Sequence, residues 1–182
     1  MQALLHIPPH QQADCHVVKL PTEIAQLGCY VAARLGLTDR PGFWDGFPRA
    51  TPYRVGGSHR NHPLTVWAAS SCWAYLDLME HGLAQCREHW HRYRAHKRIP
   101  GPRHGAWAVL EWLADHGAIL DALPDCEPPA YPVAPLVAVP GDPEAGERRL
   151  CVAKLRGDVD GIDRIKMTWT RREMPGWILE AA

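Results

Sequence analysis

The chain has 182 residues with 20 basic and 20 acidic side chains, so its formal charge is zero and any grip on nucleic acid must come from local clustering rather than bulk charge. Its 46% hydrophobic content argues against wholesale disorder, and no apolar run approaches the ~20 residues of a membrane span. No CxxC pair exists among the six cysteines, which argues against a zinc knuckle or redox dithiol, and the sequence reads without a signal peptide. Reduced thiols in a cytoplasm are expected. The length fits one domain spanning residues 1–182.

Residues 1–9 read as a short extended start ending in Pro8-Pro9. Between residues 14 and 35 an amphipathic helix is expected, because Val17, Leu20, Ile24, Leu27, Val31 and Leu35 recur at steps of three and four. Pro21 either starts this helix or kinks it, and Gly36 closes it. Residues 38–60 are rich in Gly and Pro and read as a long loop, held from full disorder by Trp44, Phe47 and Tyr53. Asn61-His62-Pro63 is a helix start, a polar cap followed by proline at the first helical position. That helix is expected to run to about residue 80, with Gly82 separating it from a second helix over 83–97. Pro100-Gly101-Pro102 stops the second helix. A third spans roughly 103–120, burying Trp107, Leu110, Leu113 and Leu120. Seven prolines between 123 and 143 predict an extended surface segment. A short helix near 144–156 and a final segment over 162–177 complete a mainly α, compact helical fold with a long Gly/Pro loop and a Pro-rich extended stretch.

Three groups of residues carry candidate chemistry. Glu23, Gln26 and Tyr30 share one helical face, joined by Lys19 if the helix extends back past Pro21. A lysine, an acid and an amide on one face can bind an anion and hold a base beside it, although an i,i+4 ion pair on a solvated face has the same spacing. At Asn61-His62-Pro63, free N–H groups and the helix dipole favour an anion, and His62 can touch a phosphate or merely cap. In the run 88–97, Glu88, Arg92 and His96 recur at i, i+4 and i+8. Glu88 can serve as a base if buried beside Arg92, and Arg92 can clamp a phosphate or carboxylate. No recognised spacing supports a metal site at Glu88, His89 and His96. Basic residues cluster between 87 and 104, opposed only by Glu88, and again at Arg164, Lys166, Arg171 and Arg172.

The order of these motifs carries a resemblance. Val17-Val18-Lys19 is followed by 23–27, then Asn61-His62-Pro63 with Trp67, then Glu88 with Arg92-Tyr93 and His96-Lys97. A proline-rich stretch around Tyr131-Pro132 follows, and last come Lys166, Trp169 and Pro175-Gly176-Trp177. The chain is similar over nearly its whole length to a family of phage proteins often labelled pyrimidine-dimer-glycosylase-like. Within thymine hypermodification systems that family is described as amino acid:DNA transferases. It departs at Ala74, where relatives often carry asparagine, and at Arg94-Ala95, where they tend to carry Gly-Lys.

The resemblance implies a reaction on DNA in an infected host cell. A kinase converts 5-hydroxymethyluracil to its pyrophosphoryl ester. The transferase then joins the amine of an amino acid, glycine or serine, to the 5-methylene carbon and expels pyrophosphate. On this reading Lys19, His62, Arg92 and Lys97 face the leaving group, Glu23 or Glu88 is the base, and Arg92 or Arg94 holds the amino-acid carboxylate. Trp67, Trp90, Tyr93 or Trp169 stacks on the flipped base. Gln26, Tyr30, Asn61, His96 and Lys166 complete the binding set. Magnesium can accompany the pyrophosphate, and no other cofactor is implied. Two alternatives remain: a DNA glycosylase/lyase using an amine such as that of Lys19, and a non-catalytic DNA-binding accessory domain.

Overall fold

Helix α1 (Asp14–Arg34) forms the centre of the fold, and its predicted stripe is what it buries: Val17, Leu20, Ile24, Leu27 and Val31 are all under 5% exposed. Leu35, the last of the stripe, lies just past the helix and is half-buried, and Gly36 ends the helix at φ 71°, a conformation that suits a residue without a Cβ. Pro21 lies inside the helix rather than at its start. In the computed structural model, residues 4–53, 55, 58–95 and 104–181 are described.

Among the described residues six further helices follow: α2 (Pro63–Ala68), α3 (Cys72–Tyr93), α4 (Trp107–Ala114), α5 (Gly117–Ala122), α6 (Pro143–Arg156) and α7 (Gly176–Ala181). No strand occurs among the described residues. The fold is mainly α, with α1 packed most heavily on α3 and α4 closing the core against both. Among the described residues no helix is long and apolar enough to cross a membrane. All six cysteines are unpaired.

Several boundaries differ from those expected. The first helix after Pro63 ends at Ala68, not near residue 80. There the Ser70 hydroxyl donates to the Trp67 carbonyl (2.6 Å), and Ser71 accepts from the Trp73 N–H (3.2 Å) as the cap of a new helix. Gly82 does not divide two helices, because α3 runs through it to Tyr93. Its value is in packing: a Cβ there would lie 3.0 Å from both Ile24 Cγ2 and Leu110 Cδ2. The expected helix over 103–120 is two helices, separated where His116 Nε2 donates to the Phe43 carbonyl (3.1 Å). Leu110 and Leu113 are buried, whereas Trp107 and Leu120 are only half-buried. The predicted stop at residues 100–102 lies outside the described residues.

Residues 4–9, the described part of the expected extended start, are turns and bends rather than an extended segment. Leu4 and Ile7 are 1% exposed, and a 3-10 turn (Pro9–Gln11) leads into α1. The Gln12 amide donates to the carbonyls of Leu4 (3.1 Å) and Ile7 (2.7 Å), folding this start onto the core. The Gly/Pro-rich loop is held by its aromatics, with Trp44 stacked 5.8 Å from Trp112 and Phe47 edge-on to Trp112 at 5.0 Å. The Pro-rich stretch forms no regular structure and is tied down by its carbonyls. Pro124 accepts from Cys72 N (2.9 Å), Cys126 from Ser71 Oγ (2.5 Å) and Pro129 from Trp67 Nε1 (3.0 Å). Prolines remove donors but leave acceptors, so this is the pattern such a segment permits.

Gly28 marks the closest approach of α1 to its neighbours: a Cβ would sit 2.7 Å from Leu113 Cδ1 and 3.2 Å from Met79 Cε. Gly28→Ala is therefore expected to lower stability by roughly 1–3 kcal/mol through overpacking, although alanine gains about 1 kcal/mol of helix propensity. Urea unfolding should show a lower midpoint at unchanged slope. A midpoint equal to or above that of the parent would mean that Leu113 and Met79 repack freely.

Candidate functional site

Because α1 begins at Asp14, Lys19 lies on the same face as Glu23, and its ammonium meets the carboxylate at 2.7 Å. Gln26 is half-buried on that face, and Tyr30 is 8% exposed. The start of α2 comes up against this face. Tyr30 stacks on His59 at 5.6 Å, and His59 stacks on His62 at 6.3 Å, giving a three-ring column.

The cap of α2 is His62, not Asn61. Its Nδ1 accepts from the Leu64 N–H (3.2 Å), while the Asn61 carbonyl oxygen accepts from Arg34 (3.1 Å). Burial lowers the His62 pKa, and Glu23 is close enough to pull the other way. The neutral ring that accepts at Nδ1 carries its proton on Nε2, so His62 presents a donor. Tyr30 and His62 are thus joined through His59, Asn61 through Arg34, and Glu23, paired with Lys19, lies within electrostatic reach of His62.

His16, one turn before, went unnoticed in the sequence because it carries no spacing signal. It is 7% exposed, and neither ring nitrogen has a hydrogen-bond partner. Burial first, then the charges of Lys154 and Lys19, depress its pKa to about 4, so it is neutral.

Glu88 and Arg92 belong to a second cluster with a different character. Arg92 is 1% exposed and every nitrogen is engaged: Nε with Glu88 (2.7 Å), Nη1 with Asp14 (2.8 Å), and Nη2 with the carbonyls of Gln12 (2.9 Å), Pro9 and His10. Arg172 closes the other side of Glu88 with two bonds, 2.8 and 2.7 Å. Asp14 also accepts from Thr168 Oγ1 (2.7 Å), Thr170 Oγ1 (2.8 Å) and the Thr170 N–H (3.0 Å). Burial opposes ionisation of Glu88, but the hydrogen bonds from Arg172 and Arg92 outweigh it and hold the carboxyl at about 2. Asp14 is likewise held low against its burial by Thr168, Arg92 and Thr170.

A carboxylate this acidic, with both oxygens taken, is a poor proton acceptor, and a buried guanidinium with all three nitrogens engaged is a poor clamp. The base role expected of Glu88 and the ligand role expected of Arg92 therefore sit badly with their surroundings. Asp14 escaped the sequence reading, and Arg172 appeared only in a charge count, because their partners lie 78 and 84 residues away.

The other expected residues are dispersed. Trp67 is 7% exposed, with its N–H on the Pro129 carbonyl and its face edged by Tyr131 (5.2 Å), so it is not an open platform for a base. Trp169 donates to the Gln11 carbonyl (2.9 Å). Tyr93 lies 5.0 Å from the His89 ring, with its hydroxyl toward Asp14. Lys166 is exposed in a small cleft with Arg164, apart from both clusters. His96 and Lys97 lie outside the described residues. Among the described residues no group of three or more histidine, cysteine or carboxylate side chains is placed to hold a metal ion. A cleft of about 950 Å³ opens beside Glu88, walled by Pro9, Ala84, Trp90, His91 and Arg87.

Fold and site together define a mainly α protein with a mixed cation, acid and imidazole surface on α1 and α2, braced by a buried ionic hub. Comparison with protein-family models, curated proteins and solved structures finds no match to any of them.

Proposed function

We propose that the chain is an amino acid:DNA transferase that joins glycine or serine, through its amine, to the 5-methylene carbon of pyrophosphorylated 5-hydroxymethyluracil in phage DNA. The reading rests on the ordered motifs set out above. The observation that supports it is the Lys19–Glu23 pair on α1 with His62, from the start of α2, within electrostatic reach of Glu23.

The roles follow from chemistry. The amino group arrives protonated and must lose a proton before attack. Glu23, which the geometry favours over Glu88, takes it. The amine lone pair forms the new C–N bond as the C–O bond to pyrophosphate breaks, and the leaving oxygen keeps the electron pair. The Lys19 ammonium and the His62 Nε2–H meet the charge that develops there.

The glycosylase/lyase alternative needs Lys19 as a neutral amine nucleophile. Its hydrogen bond and charge pairing with Glu23 raise its pKa instead, which favours the ammonium form.

The test is nucleoside mass spectrometry. DNA carrying the pyrophosphoryl ester is incubated with the protein and each amino acid in turn. The expected result is a new aminomethyl nucleoside and one pyrophosphate released per adduct. Strand cleavage without any adduct would replace this reading with the lyase, and borohydride trapping on lesion-bearing DNA would then capture Lys19.

A further inference from the structure

Three clefts, the first beside the ionic hub, adjoin through shared wall residues and together outline one groove. The cleft beside Glu88 shares His10 and Arg172 with a second of about 380 Å³, which is walled by Met174 and Pro175. The second shares Trp177 with a third of about 440 Å³ along α6. The path therefore runs from Arg87 and Trp90, past His10 and Arg172, over Trp177, to Arg149 and Arg156.

Two properties distinguish its lining. Five arginines face it (Arg87, Arg148, Arg149, Arg156, Arg172), against the carboxylates Glu88, Glu173 and Asp158. Arg172, Arg156 and Arg148 are paired with Glu88, Asp158 and Glu144, and Arg87 and Arg149 are exposed at the two ends. Between the charges the walls are apolar or aromatic: Pro9, Trp90, Pro175, Trp177, Leu136 and Val152. Leu136 stays 65% exposed. The Arg148 guanidinium lies 5.5 Å from the Trp177 ring centroid, and its Nε is buried without a partner.

We infer that this groove is the track of a single DNA strand. A polyanion accounts for the arginines, but phosphates alone do not account for an apolar, aromatic floor. A duplex turns its bases inward and shows such a floor only phosphates and groove edges. A single strand shows both features, its backbone for the arginines and its unpaired bases for Trp90 and Trp177. The inference rests on the transferase reading for the choice of DNA, and it deepens that reading by stating the strandedness of the substrate and where it lies.

The experiment uses the full chain and an unmodified, fluorescein-labelled strand of about 12 thymidylates, a length within the footprint of such grooves. Anisotropy should show saturable binding, with a slope of log K against log salt that is negative by about 0.7 for each phosphate contact. The same strand in a duplex should bind at least tenfold more weakly. Arg87→Ala and Arg149→Ala remove exposed side chains at opposite ends of the groove and leave the buried hub intact. Each should weaken binding on the order of tenfold and flatten the salt slope, whereas a thymidine dinucleotide, too short to span the groove, should respond to at most one of them. Absence of saturable binding, duplex binding as tight as the single strand, or a response of the long strand to only one end would overturn the track. Binding needs no amino acid or pyrophosphate, so it is separable from catalysis. Transfer onto a pyrophosphorylated mononucleoside without strand binding would sink the groove and keep the transferase. Strand binding without transfer would do the reverse.

Discussion

Replacing Arg92 by methionine is expected to cost the fold roughly 3–5 kcal/mol, the usual cost of removing one partner from a buried ion pair. A domain of this kind is stable by only about 5–15 kcal/mol, so the variant should unfold at a much lower urea concentration or fail to accumulate. The cause lies in what stays behind. Asp14 loses one of its bonds, Glu88 keeps only Arg172, and the carbonyls of Pro9, His10 and Gln12 lose their shared donor. Arg92→Lys should lose much of the same stability, because one ammonium cannot reach carboxylates and carbonyls on so many sides.

Acid titration reads the same hub independently. The Glu88 carboxyl is held at about 2 against an ordinary 4.5. Its contribution is fully present above the ordinary value and fades as pH falls from there through the folded-state value, amounting to about 3 kcal/mol by linkage. In Glu88→Gln this part of the acid limb should flatten. A folded Arg92→Met protein with the parental midpoint would show that the hub does not brace the fold.

Glu23→Gln is expected to reduce the transfer rate by about 10²–10⁴-fold with folding intact. The amide keeps the shape of the carboxylate and loses its ability to take a proton. Little stability should go with it, since the partner Lys19 has a side chain that is 74% exposed and such surface pairs contribute about 0–1 kcal/mol. Glu88→Gln should behave in the opposite way, losing stability first and activity only in proportion to unfolded protein. Urea midpoints measured beside single-turnover rates separate the two. Near-parental turnover in Glu23→Gln would remove it as the base.

The contrast between these carboxylates shows what was legible before the structure. Both sat at helical spacing from a cation, Lys19 before Glu23 and Arg92 after Glu88, and that local periodicity was enough to place each pair correctly. Their different environments come from contacts that no periodicity reports. Asp14 and Arg172 reach Arg92 and Glu88 across 78 and 84 residues, and they turn a surface-like pair into a buried one. His59 was hidden because it lies at the end of an aperiodic Gly/Pro-rich loop and acquires its place by stacking on Tyr30. Gly82 misled for a similar reason. Its low helix propensity suggested a boundary, whereas the absent side chain makes room for Ile24 and Leu110. The stripe on α1 and the proline after His62 were readable because each acts within a few residues of itself.

The bonds from Thr168 and Thr170 to Asp14 join residues 154 and 156 positions apart. A chain emerging from the ribosome makes α1 early, but it cannot neutralise and satisfy the hub until the segment from Thr168 to Arg172 has been synthesised. At about 5–20 residues per second, Asp14 waits on the order of ten seconds or more for these partners. Over that interval α1 and α3 can pair through their apolar faces while Glu88 lacks Arg172 and Asp14 lacks its threonines. The segment from Thr168 to Arg172 then acts as a clasp, closing the hub that α1 and α3 alone leave unsatisfied.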